Sequence, residues 1–287
     1  MFLPTKIWNN SVENGLEGCF YFMNSIFWYT AAMQTKEKPN IQLVVLDVDG
    51  VLTDGESAPF DLELFQRLAT LNARSRAGKA VPPVTVCTGR PQAYVEAVLQ
   101  ALDCSLAGVF EGGAGLYVPE GRRVLPHPDI PDSAIMRKVQ RILEEEVERD
   151  SSIYLQPGKI FTVSVFPRGV EGSAGPLDGL RERVVGLLGD ELAGELELLY
   201  SASCLNILPK GIHKGKGIEF LAEWTGIPLS AMLVVGDSEV DIPMFQKAGY
   251  RAAPANATPD VKGRADYVSN EKTSRGLRDI LNRFGVF

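Results

Sequence analysis

Ile41-Gln42-Leu43-Val44-Val45-Leu46-Asp47-Val48-Asp49-Gly50-Val51-Leu52-Thr53-Asp54 is the stretch on which the reading of this chain turns. Residues 41–47 form a short, nearly continuous apolar run that ends in an aspartate. Runs of that length and character are strands buried on both faces of a parallel sheet. Two carboxylates, Asp47 and Asp49, then fall two residues apart on the loop leaving the strand, where they can converge on one site. Like charges held that close repel, so such a pair favours a bound cation or a shared proton. One carboxylate can act as nucleophile while the other moves protons, with a hard divalent ion held by oxygen ligands. An Asp-Gly turn without chemistry is the plainer account of the same residues, and the stretch alone does not separate the two.

Outward from this point the pattern repeats. Residues 83–87 (PVTVC) and 232–237 (MLVVGD) read as further buried strands. Helices are expected at 60–77, from Pro91 to about 102, and at 214–225, 241–248 and 273–284, with short strands at 250–253 and 266–268. Strand–helix alternation of this kind predicts an α/β fold: a doubly wound, Rossmann-like parallel sheet with ligands at the carboxyl ends of its strands. The middle of the chain reads differently. Strand candidates GLYVP, KIFTVSVF and ELLYSASCLNIL and helices at 132–149 and 176–189 predict an inserted α+β cap. The expected division is a core of 40–111 and 207–287 around a cap of 112–206, with 1–39 an appendage outside the fold.

Three further segments sit at strand ends or helix starts. Thr88-Gly89-Arg90 offers a hydroxyl and backbone N–H groups to a phosphate oxygen, or else a simple helix cap. Lys210-Gly211-Ile212-His213-Lys214-Gly215 places a lysine at the start of a helix, a position that is solvated surface in most proteins. Gly236-Asp237-Ser238-Glu239-Val240-Asp241 brings two carboxylates, four residues apart, to another strand end, where they suit a metal or the helix dipole.

Taken in order, the four segments resemble the motifs of the haloacid dehalogenase superfamily of phosphatases, over residues 41–287. That resemblance implies Asp47 as the nucleophile that forms an aspartyl-phosphate and Asp49 as the acid/base. It implies Thr88, Gly89, Arg90 and Lys214 around the phosphoryl group, with Lys214 also orienting Asp47. Mg²⁺ would be held by Asp47, Asp49 (through its carbonyl), Asp237 and Asp241. The insertion resembles the subfamily IIB cap of sucrose-phosphate, mannosyl-3-phosphoglycerate, trehalose-phosphate and phosphoglycolate phosphatases. Two positions depart from that pattern: Gly112 and Val240 stand where many members carry asparagine. Val240 cannot hydrogen-bond to the carboxylates of the metal site.

The expected function is therefore Mg-dependent hydrolysis of a small phosphorylated metabolite, a sugar phosphate or a phosphorylated acid such as phosphoglycolate. A phosphomutase, or a catalytically weak protein that binds a phosphorylated ligand, is the alternative. Composition fits this. With 287 residues, 45% of them apolar and 23% charged, the chain is an ordinary globular protein of one or two domains. Its 29 basic and 36 acidic residues give a net charge of −7, which argues against nucleic acid as a partner. Four cysteines without a CxxC pair read as reduced thiols in a cytoplasmic protein. The apolar run at 20–33 is shorter than the roughly 20 residues that span a bilayer, and no cluster of Lys or Arg precedes it, so no stable membrane insertion is expected. A monomer or homodimer is expected.

Overall fold

A computed structural model describes residues 39–130, 133–169, 177–201 and 203–287. The expected appendage lies outside the described residues except for its last position, Pro39. Residues 41–287 form one compact unit.

The deciding run is an inner strand of the main sheet. β1 (Leu43–Leu46) is fully buried and pairs in parallel with a strand on either side, which is why it has no polar face. Helix α1 (Leu62–Arg76) begins one residue after Asp61, whose side chain accepts the Leu64 N–H; Leu64, Phe65, Leu68 and Leu71 form its buried stripe. Phe60, expected inside this helix, stays outside it and half exposed. Then come β2 (Val84–Val86), helix α2 (Gln92–Ala101) capped by Pro91, and β3 (Gly108–Phe110). β3 forms an antiparallel sheet with β4 (Gly115–Val118) and β5 (Arg123–Pro126).

The inserted α+β cap begins with helix α3 (Ser133–Arg149) and continues with β6 (Ile153–Leu155), β7 (Val163–Pro167), α4 (Leu180–Leu188) and α5 (Asp190–Gly194). Strands β8 (Leu196–Tyr200) and β9 (Leu205–Pro209) complete its antiparallel sheet, in the order β6-β7-β9-β8. The chain then returns to the core. It forms α6 (Lys214–Thr225), β10 (Met232–Val235), α7 (Ile242–Phe245), β11 (Tyr250–Ala253), α8 (Pro259–Lys262), β12 (Tyr267–Val268) and α9 (Thr273–Arg283). The main sheet is all parallel, ordered β12-β11-β10-β1-β2.

Alternation along the strands makes the fold doubly wound. Val44, Leu46, Leu233 and Val235 pack with α1, α2 and α9 on one face, while Leu43, Val45, Met232 and Val234 pack with α6, α7 and α8 on the other. In the cap, Val163, Val165, Leu205 and Ile207 face α3 and α4 in a separate core. The intervening Ser164, Phe166, Asn206 and Leu208 point away from those helices.

Three further sequence expectations change. Residues 159–162 are not part of a strand, although KIFTVSVF reads as one; β7 starts at Val163. ELLYSASCLNIL is two strands, β8 and β9. The helix expected at 241–248 shrinks to four residues after a 3₁₀ turn at Glu239–Asp241. No helix among the described residues is long and apolar enough to cross a membrane.

Candidate active site

The site lies where β1, β2 and β10 end and α6 begins. Asp47 is buried, its own N–H tied to the Val235 carbonyl and its Oδ1 accepting the Val48 N–H at 2.8 Å. Lys214 Nζ stands 2.8 Å from the same oxygen and 2.5 Å from Asp241 Oδ1. The other oxygen of Asp241 accepts the N–H groups of Asp237 and Ser238, at 2.9 and 3.0 Å. Asp241 thus has both oxygens engaged: it anchors the loop after β10 and holds Lys214 against Asp47.

Lys214 reaches this point because α6 starts hard against β3. A Cβ on Gly217 would lie 2.6 Å from a Val109 methyl and 2.7 Å from the Gly113 Cα. His213 caps the helix by accepting the Lys216 N–H. On the opposite side, the Asp237 carboxylate lies over Gly50, where a Cβ would come within 2.1 Å of it. Gly50 also has φ +84°, in the left-handed region, so the turn after Asp49 requires glycine on both counts.

Electrostatics inside the site are unbalanced. Asp47, Asp237 and Asp241 can bring one oxygen each within 4.8 Å of one another, with Lys214 the one cation paired to them among the described residues. Burial, then Asp241 and Asp237, push the Asp47 carboxyl well above its ordinary value, while Lys214 pulls it down. Burial and Asp241 raise Asp237 to about 7. Burial opposes the charge on Lys214, but Asp241 and Asp47 outweigh it and hold the ammonium above the ordinary lysine value. Three carboxylates against one ammonium leave an excess of negative charge among hard oxygen donors, which fits a divalent cation.

Asp49 is held differently. Arg90 Nε and Nη2 donate to its two carboxylate oxygens, both at 2.7 Å, and Nη2 also bonds the Glu56 carbonyl. Arg90, expected on a phosphoryl group, therefore fixes the acid/base candidate in a bidentate pair. Thr88 is buried, with its hydroxyl accepting the Arg90 N–H. Gly89 stands beside it, with its carbonyl on the side chain of Lys159.

Asn256 escaped the sequence reading. Its amide donates to both the Gly50 carbonyl and Asp237 Oδ2, and its Oδ1 accepts the Thr273 N–H. It thereby orients Asp237, a service that Val240 cannot perform although its side chain lines the same cavity. The available signal was an asparagine in the loop directly after β11, another strand end of the parallel sheet. That cavity, of about 600 Å³, is bounded by the core residues above and by Gln156, Phe166, Ser201, Ser203 and Asn206 of the cap.

Comparison with known proteins agrees with this architecture. Residues 190–281 match the model of the haloacid dehalogenase-like hydrolase family. The chain is 26% identical over 249 residues to a phosphoglycolate phosphatase of Methanobrevibacter smithii, covering 85% of this chain and 99% of that one. It is 28% identical over 249 residues to a phosphoglycolate phosphatase of Thermoplasma volcanium, covering 86% and 99%. Among solved structures, a Thermoplasma acidophilum protein superposes with a TM-score of 0.68 at 20% identity, over 86% of this chain and 99% of that one. A sugar phosphatase described as HAD subclass IIB superposes with a TM-score of 0.60 at 19% identity, over 86% and 100%.

Proposed function

We propose that this chain, haloacid dehalogenase-like by its fold and its family match, is a phosphatase that hydrolyses a small phosphomonoester through an aspartyl-phosphate on Asp47. The observation that carries this reading is the relay Asp241–Lys214–Asp47. It holds a buried carboxylate at a strand end against the Lys214 ammonium, beside the Thr88 hydroxyl, the Gly89 turn and a second carboxylate. The phosphoglycolate phosphatases among its relatives support a substrate of that general kind.

In the first half-reaction an Asp47 oxygen attacks phosphorus in line, the bond from phosphorus to the leaving oxygen breaks, and Asp49 gives that oxygen a proton. In the second, Asp49 takes a proton from water, whose oxygen attacks the aspartyl-phosphate and releases inorganic phosphate with Asp47 restored. Lys214, the Thr88 hydroxyl and the Gly89 N–H would steady the phosphoryl oxygens. The bidentate ion pair to Arg90 fixes the direction in which the Asp49 carboxyl faces the site. The carboxylates of Asp47 and Asp237, with the carbonyl of Asp49, would hold Mg²⁺, which supplies charge neutralisation to the transferring group; Asp241 supports them from behind.

The cap, on the same reading, is better bounded at 133–209 than at 112–206. Leu116 and Val118 of β4 pack with Val45, Ile218 and Leu221 of the core, and Val109 bridges directly to Cys87 at the end of β2.

The test is phosphate release from a panel of phosphorylated acids and sugar phosphates, with and without a chelator, by the native chain and Asp47→Asn. The variant keeps the size of the side chain and removes its nucleophilicity, so turnover should drop by at least about 10³-fold. Activity above about a tenth of native, or full activity in excess chelator, would overturn the mechanism. Release of free phosphate, as opposed to an isomerised phosphate ester, separates a phosphatase from a mutase.

A further inference from the structure

A second cavity, of about 290 Å³, shares Gly89, Asn206, Lys214 and Val240 with the first and runs between the core and the sheet of the cap. The mechanism above uses nothing peculiar to it. Two groups on its wall are short of partners. Lys159, in the loop before β7, reaches across to the phosphate-binding turn and donates to the Gly89 carbonyl at 2.5 Å. Among the described residues this is the one hydrogen bond its ammonium makes, and it forms no ion pair there. An ammonium carries three donors, so two are left over.

Asn206, on the face of β9 that points away from the helices of the cap, has its Oδ1 occupied by the Ser164 hydroxyl and the Cys204 thiol. Its amide donors have no partner among the described residues, and the side chain borders both cavities.

Glu111 does not satisfy Lys159 directly. Its carboxylate accepts the N–H groups of Ile160, Phe161 and Thr162 at 2.8–2.9 Å and the Thr162 hydroxyl at 2.8 Å. Those bonds fix the loop that carries Lys159 in place. Burial lowers the pKa of Lys159, with the Glu111 charge acting in the opposite sense. A cation withdrawn from water with unused donors gains from an anionic partner far more than an exposed one does.

We propose that Lys159 and the Asn206 amide form a subsite for a second oxyanion on the substrate, one that selects phosphorylated carboxylic acids over neutral phosphate esters. This rests on the phosphatase reading and adds the residues that choose the leaving group. Both groups offer donors alone, which suits a carboxylate, an acceptor at every lone pair. A neutral sugar hydroxyl offers the Lys159 ammonium no opposite charge and brings an O–H donor of its own. The cavity is large enough for an acid of a few carbons. Glu197 and Glu239 also line it, so the carboxylate is placed by contact with Lys159 and Asn206, not by the net charge of the wall.

The experiment compares 2-phosphoglycolate with its neutral counterpart 2-hydroxyethyl phosphate, and adds glucose 6-phosphate and p-nitrophenyl phosphate. The native chain, Lys159→Met and Lys159→Arg are assayed with Mg²⁺ present. The native chain should favour the acid over its neutral counterpart by at least about tenfold in kcat/KM. Lys159→Met should lose about 10- to 100-fold on the acid, mainly through KM, the range for one hydrogen bond to a charged group. It should stay within about threefold of native on the neutral ester, which also shows that the variant folds, and Lys159→Arg should restore most of the preference. An equal loss on both substrates would overturn the subsite while leaving the phosphatase standing. So would a native preference for glucose 6-phosphate or the neutral ester. No turnover of any ester, p-nitrophenyl phosphate included, would overturn the phosphatase reading and the subsite with it.

Discussion

At the scale of single residues, the four motif carboxylates fall into separate jobs by environment. Asp241 is a spacer with both oxygens engaged, Asp49 is clamped by Arg90, and Asp47 and Asp237 are left facing one another across an excess of negative charge. For Asp237 this has a measurable sign. Unfolded, its carboxyl ionises near 3.8; folded without a cation, it ionises at about 7. Between those values the folded state holds a proton that the unfolded state has released, so its stability contribution is lost as pH rises from 4 to 7 and the cost is complete above 7. A divalent cation competes with that proton. The rise in melting temperature on saturating the chelated protein with Mg²⁺ should therefore be larger at pH 8 than at pH 6. Chelated Asp237→Asn should melt above the chelated native chain at pH 8 and respond little to Mg²⁺. Equal Mg²⁺ responses at the two pH values would remove Asp237 from the cation site. The aspartates and Lys214 were legible because each follows a recognisable strand or opens a recognisable helix. Asn256 was not, since a lone asparagine in a loop carries no signature until Gly50 and Asp237 are brought beside it.

At the scale of elements, the sequence was most readable where burial is two-sided and least readable where a strand faces another part of the chain. β1 and β10 announce themselves as unbroken apolar runs. KIFTVSVF does not divide itself, because the amides of residues 160–162 leave the ladder for the Glu111 carboxylate, a partner about 50 residues away. The alternation in FTVSVF suggests one covered and one solvated face, yet all five residues of β7 are buried. Val163 and Val165 enter the cap's own core, and Phe166 borders the cavity of the active site. The seat of α6 is an equally long-range matter. Gly217 allows the helix to touch the Gly113 backbone, which cannot move aside as the Val109 methyl can. Gly217→Ala should therefore destabilise the fold by about 1–2 kcal/mol, an overpacking cost of about 1–3 kcal/mol reduced by the better helix propensity of alanine. Lys214 sits one turn away, and a small displacement of its Nζ should lower kcat by about tenfold or more. Urea denaturation and steady-state kinetics on the same preparation test both effects. Unchanged stability and unchanged kcat would mean that the helix has room to shift without consequence.

At the scale of the whole molecule, the groups proposed for catalysis come from a core with its own hydrophobic layers, and those proposed to face the leaving group come from a cap with a separate one. Such an arrangement works only if the two are held in register, and Glu111 is the residue built for it. It follows β3 directly, is almost completely buried, and adopts φ +49°, a backbone conformation uncommon outside glycine. From there its carboxylate takes three consecutive N–H groups of residues 160–162, in the way a helix N-terminus takes an anion. Removing it leaves those donors buried without a partner, at about 1–3 kcal/mol for each that water cannot reach. Glu111→Ala should speed hydrogen exchange at Ile160, Phe161 and Thr162 by at least about tenfold while leaving β1 and β10 protected, because local opening there is uncoupled from the main sheet. It should also raise KM for a phosphorylated acid more than it lowers kcat, since Lys159 loses its position while Asp47 and Lys214 keep theirs. Glu111→Gln, with one acceptor oxygen in place of two, should fall between the native chain and the alanine variant in both measurements. Native exchange rates at residues 160–162 in Glu111→Ala would show that the cap is seated by other contacts. A drop in kcat with KM unchanged would show that Glu111 supports the core and not the cap.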